Sequence, residues 1–264
     1  MLLIFDIGNT STMAGLYHNG QIVDHFRTPS KDEDDYTVAV VHDVVEAELR
    51  RLVGAGDQVN KQIDGAAICS VVPELTGVFA GIIEELLGIK VWVMDHTADL
   101  GLKVAVDKPF QAGADRLANA VALKNLYGYP GFVIDLGTST NFDVIDSAGN
   151  YIGGAIAPGV KTSAAELFRR ASRLFPVKLS QPEHAIGRNT TDAMKSGIFY
   201  GSLGLIDHIA SLISSELNHP DLKVVATGGF AEIFAPNSQY IQTIDSTLTL
   251  KGTAMAYERN NRKE

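Results

Sequence analysis

Two stretches decide how this chain is read: Leu2-Leu3-Ile4-Phe5-Asp6-Ile7-Gly8-Asn9-Thr10 and Phe132-Val133-Ile134-Asp135-Leu136-Gly137-Thr138. Each is a short apolar run, the length of a buried strand, that meets an aspartate and then a polar glycine turn. Each is followed by a hairpin signal. Asn19-Gly20 separates two strand-like segments in the first, and Ser147-Ala148-Gly149-Asn150 separates Phe142 to Ile145 from Tyr151 to Gly154 in the second. The two aspartates are 129 positions apart, close to half of the 264 residues, so the spacing predicts an internal duplication with a strand-and-hairpin unit opening each half.

Working outward, Tyr36 to Val53 and Glu74 to Leu87 carry helical periodicity, and Ala66 to Val72 and Lys90 to Met94 read as buried parallel strands. In the second half, Thr162 to Leu174 and Thr191 to Leu217 read as helices, Lys223 to Ala226 as a strand and Leu248 to Arg259 as a closing helix. The alternation is that of an α/β protein. The boundary is expected near Ala114 to Ala118, giving domains 1–115 and 116–264. Lys31-Asp32-Glu33-Asp34-Asp35 reads as a solvated loop, and the tail from Arg259 as frayed.

With 22 Lys and Arg against 31 Asp and Glu, the chain carries a formal charge of -9, which argues against nucleic-acid or anionic-membrane binding and makes any phosphate site local. Apolar residues make up 45% of the chain, enough for a sizeable core. A lone cysteine, Cys69, sits in an apolar run and reads as a small buried hydrophobe. No leader-like basic and apolar pattern opens the sequence, and no long apolar run is free of charge, so a reduced cytoplasmic protein is expected.

A strand ending in Asp before a Gly-Thr turn sets a carboxylate beside exposed N–H groups and a hydroxyl, the parts that hold Mg²⁺ and a phosphate. One such turn is also an ordinary hairpin connection; two at matching places are more specific, and from opposite domains they would grip a phosphate chain. A third glycine turn, Ala226-Thr227-Gly228-Gly229, would leave room for a base or sugar. Gly197, Gly201 and Gly204 leave one helix face bare enough for a neighbouring backbone or a ligand to lie against it, and of the two close helix packing is favoured. In Gly113-Ala114-Asp115-Arg116 the acid reads most simply as a helix cap; facing a cleft, it would accept a hydroxyl proton while Arg116 pairs with a substrate anion. Zinc-ligand spacing, a Gly-x-Ser-x-Gly elbow and a P-loop are all missing.

Taken in order, Asp6 to Thr10, Gly113 to Arg116, Asp135 to Thr138, Gly153-Gly154-Ala155-Ile156-Ala157-Pro158-Gly159, Gly187-Arg188-Asn189-Thr190 and Ala226 to Gly229 resemble the type III pantothenate kinases over nearly the whole chain. The resemblance implies an actin-like ATPase fold of two ribonuclease-H-like domains, a homodimer, ATP as phosphoryl donor, Mg²⁺, and a monovalent cation such as K⁺ or NH₄⁺. It makes Asp6, Ile7, Gly8, Asn9, Thr10, Ser11, Thr12 and Met13 the first ATP loop, with Asp6 also near the metal. Thr138 becomes an ATP contact and Asp135 the monovalent-cation ligand. Gly113, Ala114, Asp115, Arg116 and Thr190 become pantothenate contacts, with Asp115 the general base. The family's tyrosine seven residues ahead of the Gly-Ala-Asp-Arg segment is Val106 here, and its Gly-Thr-Ala-Thr-Thr loop reads Gly137-Thr138-Ser139-Thr140-Asn141. The expected activity is phosphorylation of pantothenate, the first step toward coenzyme A. The alternatives are a non-catalytic regulator of the same fold, like the Bvg accessory factors, or a kinase for another small hydroxy acid.

Overall fold

The computed structural model describes residues 1–30, 46–47, 50–51 and 63–261. The expected acidic loop and most of the helix expected over Tyr36 to Val53 lie outside these residues. Contacts divide the chain into two units, Met1–Leu126 with Thr247–Glu264, and Tyr127–Ser246.

The first unit carries β1 (Leu2–Ile7), β2 (Ser11–His18), β3 (Gln21–Pro29), β4 (Gly65–Ser70), α1 (Pro73–Leu87), β5 (Val91–Val93) and α2 (Ala114–Ala122). The second carries β6 (Gly131–Leu136), β7 (Ser139–Ile145), β8 (Tyr151–Pro158), α3 (Val160–Arg170), α4 (Thr190–Leu217), β9 (Lys223–Thr227), α5 (Ala231–Phe234) and β10 (Thr243–Ile244). The last helix, α6 (Leu248–Asn261), returns to the first unit.

The two sheets have one topology. Their orders are β3-β2-β1-β4-β5 and β10-β9-β6-β7-β8, the second being the first read from the other edge. In each, three antiparallel strands form a meander and two more are added parallel to its first strand. Each has a register shift late in its second strand, at Leu16/Tyr17 and at Val144/Ile145. The two like sheets agree with the duplicated, ribonuclease-H-like arrangement that the resemblance implies. The first hairpin turns through Asn19 at φ 50° and Gly20 at φ 84°, the left-handed pair that matches the twist of a two-residue hairpin.

Alternation along β1 sends Leu3, Phe5 and Ile7 against α1, with Phe5 and Phe79 edge to face at 5.5 Å. Leu2 and Ile4 point the other way, into a cluster with Met13, Tyr17, Ala67, Leu250 and Ala254. In the second sheet Phe132, Ile134, Leu136, Phe142 and Val144 pack with Phe199, Ile206 and Ala210 of α4.

Three expectations are corrected. The 115/116 boundary moves to Leu126, and residues 247–264 rejoin the first unit, because α6 packs against α2. A Cβ on Gly252 would lie 1.9 Å from the Ala118 carbonyl oxygen, and Thr249 Oγ1 bonds Asn119 Oδ1 at 2.9 Å in the buried contact. The tail is not frayed over Arg259 to Asn261: these residues continue α6, and Arg259 and Asn260 both bond Asp99. Finally, a Cβ on Gly197, Gly201 or Gly204 would meet nothing within 4 Å, so the close helix contact expected there is absent among the described residues.

Alanine in an open helix position normally gains about 1 kcal/mol over glycine. Gly252→Ala is expected to do the opposite, forcing α6 from α2 at a cost of about 1–3 kcal/mol. A lowered Tm checks this, and a raised one contradicts the contact.

Candidate active site

In the first unit Asp6 ends the row Leu2, Ile4, Asp6 on the face that meets α6. Its register partners are Met13 on β2 and Cys69 on β4. Cys69 is fully buried, and its thiol is pushed well up, first by burial and then by the charges of Asp6 and Asp115. The cysteine is thus held as an inert thiol, as the sequence reading expects. Its environment also places both carboxylates around the C-terminal ends of β1 and β4, where ligands bind in open α/β sheets.

Asp115 stands in the first turn of α2, but it is not the cap: Gly113 holds that position and no side chain caps the helix. The Asp115 carboxylate turns back instead, accepting the Arg116 N–H at 2.8 Å. Burial raises its pKa, outweighing that hydrogen bond and the Arg116 charge, both of which lower it. Gly113 is needed for this pose, since a Cβ there would sit 2.5 Å from Asp115 Oδ1.

The Asp6–Met13 segment is a tight hairpin in which the Gly8 N–H donates to the Ser11 carbonyl at 3.1 Å, so that amide is already used. Thr12 is fully buried with its hydroxyl 2.9 Å from Ser30, and Met13 is in the core; Asn9 and Thr10 are the exposed part, with Gly8 and Ser11 half-buried.

The second unit repeats this plan. Asp135 ends β6, and the Gly137 N–H donates to the Ser139 carbonyl at 3.0 Å. Gly228, at φ 88°, brings the third glycine turn hard against it: a Cβ there would lie 2.7 Å from Asp135 Oδ1 and 2.6 Å from the Leu136 carbonyl carbon. Thr138 is exposed at the tip. Its carbonyl accepts the Thr162 hydroxyl at 2.7 Å, and Gly159 is small because a Cβ there would sit 2.1 Å away, so the start of α3 is fastened to the loop. The sequence reading missed this link, although Gly159 closes a motif it noticed. Asp135 and Asn141 are paired across β6 and β7, and the carboxylate, the glycine-lined approach and the amide suit a monovalent cation of oxygen-binding type.

Thr190 lies elsewhere in this unit, on a cavity of about 790 Å³ between α3 and α4 lined by Thr140, Pro158, Leu167, Arg188 and Gly197 among others, but not by Asp135 or Thr138. Asn189 is the helix cap, its side chain accepting the Asp192 N–H at 2.9 Å and donating to the Asp192 carboxylate at 2.7 Å.

A model of the type III pantothenate kinase family matches residues 2–212. The chain belongs to that family. Type III pantothenate kinases of Roseiflexus sp. (strain RS-1) and Halalkalibacterium halodurans are 40% and 36% identical to it over 263 residues, covering 98% of this chain and 99% and 100% of theirs. A solved structure from Campylobacter jejuni, described as a Baf family transcriptional activator, covers 98% of both chains at 18% identity with a TM-score of 0.58, a likeness of fold.

In the Gly113-Ala114-Asp115-Arg116 segment the missing side chain of the first residue leaves the space that the Asp115 carboxylate occupies. Gly113→Ala is expected to rotate the Asp115 carboxylate with little effect on Tm, while kcat falls roughly tenfold to a hundredfold, the scale of a misplaced reacting group. Unchanged kcat in a folded Gly113→Ala variant would show that the Asp115 pose has no bearing on turnover.

Proposed function

We infer that this chain transfers the γ-phosphoryl group of ATP to the primary hydroxyl of pantothenate, the step that opens coenzyme A synthesis, in the cytoplasm. The observation that supports this most directly is Asp115. A general base works best when its pKa is drawn toward the working pH, and burial raises this one while Gly113 leaves space for its oxygen. Asp115 orients the hydroxyl and takes its proton, Arg116 pairs with the substrate anion, and the exposed Asn9, Thr10 and Thr138 contact ATP. Mg²⁺ held through water near Asp6, and a monovalent cation at Asp135, supply positive charge to the phosphates when bound. Thr190 and the cavity beside it contribute to substrate binding. Val106 is half-buried in an irregular segment, not in a regular strand, and it leaves the reading of a related hydroxy acid open to test.

The same proposal includes a homodimer. Helix α4 has an 18-residue window of mean hydropathy 1.2, long and apolar enough to span a membrane by composition, yet only 22% of it is buried. Its inner residues Met194, Phe199, Ile206 and Ala210 lie in the unit's core. The outer face away from the cavity beside Thr190, where Leu212 is 51% exposed, suits a second copy. Light scattering is expected to give twice the chain mass.

The test of function is the gain of one phosphoryl group by pantothenate in the presence of ATP, compared with other small hydroxy acids; transfer to one of those alone would reassign the substrate. Asp115→Asn is expected to lower kcat about 100-fold or more. In the wild type the acid limb of kcat/KM is expected above the ordinary aspartate range near 3.8, and in Asp115→Asn that limb disappears. Stability moves the other way. A carboxyl whose folded pKa is raised binds more protons folded than unfolded, so its contribution falls as pH rises through that window. At neutral pH the ionised Asp115 is a burden on the fold, and Asp115→Asn is expected to melt at the same or a higher temperature.

A further inference from the structure

Among the buried side-chain polar atoms of the described residues, Asn141 Oδ1 has no hydrogen-bond partner. Asn141 is only 7% exposed, and leaving an amide oxygen buried and unpaired costs enough that such an atom calls for a missing partner. Its place says what that partner is. Phe142 and Val144 point into the core under α4, so Asn141 points to the opposite face of β7. There it stands directly across from Asp135 on β6, whose other neighbour in register is Thr227 on β9. Side chains paired in this way have Cβ atoms about 4.5–5.5 Å apart. Asn141, Asp135 and Thr227 therefore form a row of oxygen-bearing side chains on three adjacent strands, beside the Gly228 turn.

The duplicated first unit provides the contrast. At the same register positions Asp6 is flanked by Met13 and Cys69, a thioether and a thiol. Hard cations take oxygen ligands and soft sulfur does not serve them, so of two equivalent carboxylates the second alone has flanks suited to K⁺. Where the family's loop ends in threonine, this chain has an amide oxygen, a stronger neutral donor of the kind that replaces the hydration shell of K⁺. We propose that Asn141 Oδ1 is a ligand of the monovalent cation at Asp135 and sets the affinity of this chain for K⁺. This rests on the assignment of Asp135 as the cation site.

The test measures binding apart from turnover. The full-length protein is titrated with KCl against choline chloride at constant ionic strength, following Tm, and separately with Tl⁺, followed by thallium NMR. Asn141→Leu removes the oxygen at similar volume and is expected to raise the K⁺ midpoint about tenfold or more, equivalent to ~1.4 kcal/mol. Asn141→Thr, which keeps an oxygen, is expected to recover most of the affinity, and Asp135→Asn to abolish the response. An unchanged K⁺ midpoint in Asn141→Leu overturns the proposal. So does a wild type that phosphorylates pantothenate yet shows no K⁺ response by either readout, and in that case the kinase reading stands. A K⁺ response lost in Asn141→Leu, in a protein that does not phosphorylate pantothenate, supports the cation ligand and rejects the substrate instead.

Discussion

The chemistry of the first unit depends on how closely α6 lies against α2. Gly252 allows the Ala118 backbone within a distance that any side chain would prevent, and the buried bond from Thr249 to Asn119 fixes the register of the two helices. Because successive residues of an α-helix are about 100° apart, slipping α2 by a single position would swing Asp115 away from Cys69 and Asp6. The all-buried run Leu117 to Leu123 packs α2 into the unit, but apolar packing alone tolerates such slips; a glycine contact and a hydrogen bond do not. The return of the chain's last helix is thus part of the active-site scaffold, and the carboxylate of α2 inherits its precision from residues about 130 positions away.

Duplication then shows which features belong to the fold and which to the chemistry. The strand orders, the parallel additions, the late bulge and the glycine turn that consumes its own amide recur in both units. These are what a carboxylate needs to be held at the end of a central strand. The flanking residues differ, sulfur and apolar around Asp6, amide and hydroxyl around Asp135. Since the backbone frame is shared, the difference lies in the neighbours that each carboxylate has, and the proposed cation preference of Asp135 rests on that difference.

Much of this was legible in the sequence, because the deciding signals are local. A strand run, an Asn-Gly turn and an Asp-x-Gly turn each specify conformation within a few residues, and the two copies reinforce each other. The domain boundary was misread because it depends on a nonlocal event, the packing of Gly252 on Ala118, for which the sequence offers only a glycine within a helix. The glycines of α4 were misread for the complementary reason: a bare helix face shows that there is room and does not say what fills it. Gly113 and Gly159 were recognised as motif members, but their causes are contacts with the Asp115 carboxylate and the Thr138 carbonyl, which spacing does not reveal. Asn141 was noticed as a departure, yet its unpaired oxygen became visible only once β7 was placed against its neighbours.

The charge balance of the chain links these observations. A protein with a net charge of -9 that handles an anionic acid and a polyphosphate starts with electrostatics against it, and its key groups, Asp6, Asp115 and Asp135, are themselves acids. Lysines and arginines clustered at the site would relieve the repulsion, but they would also lower the pKa of Asp115 and weaken it as a base. The proposed cations ease that conflict, because their charge is placed at the phosphates and not beside Asp115. Burial raises the Asp115 pKa without adding a permanent charge, and in the proposed arrangement the oxygen-bearing side chains beside Asp135 bring positive charge only to that strand end. On this argument the acidity of the protein and its proposed dependence on cations are one property, and the oxygen-bearing side chains beside Asp135 are what set its proposed site apart from the sulfur-flanked Asp6.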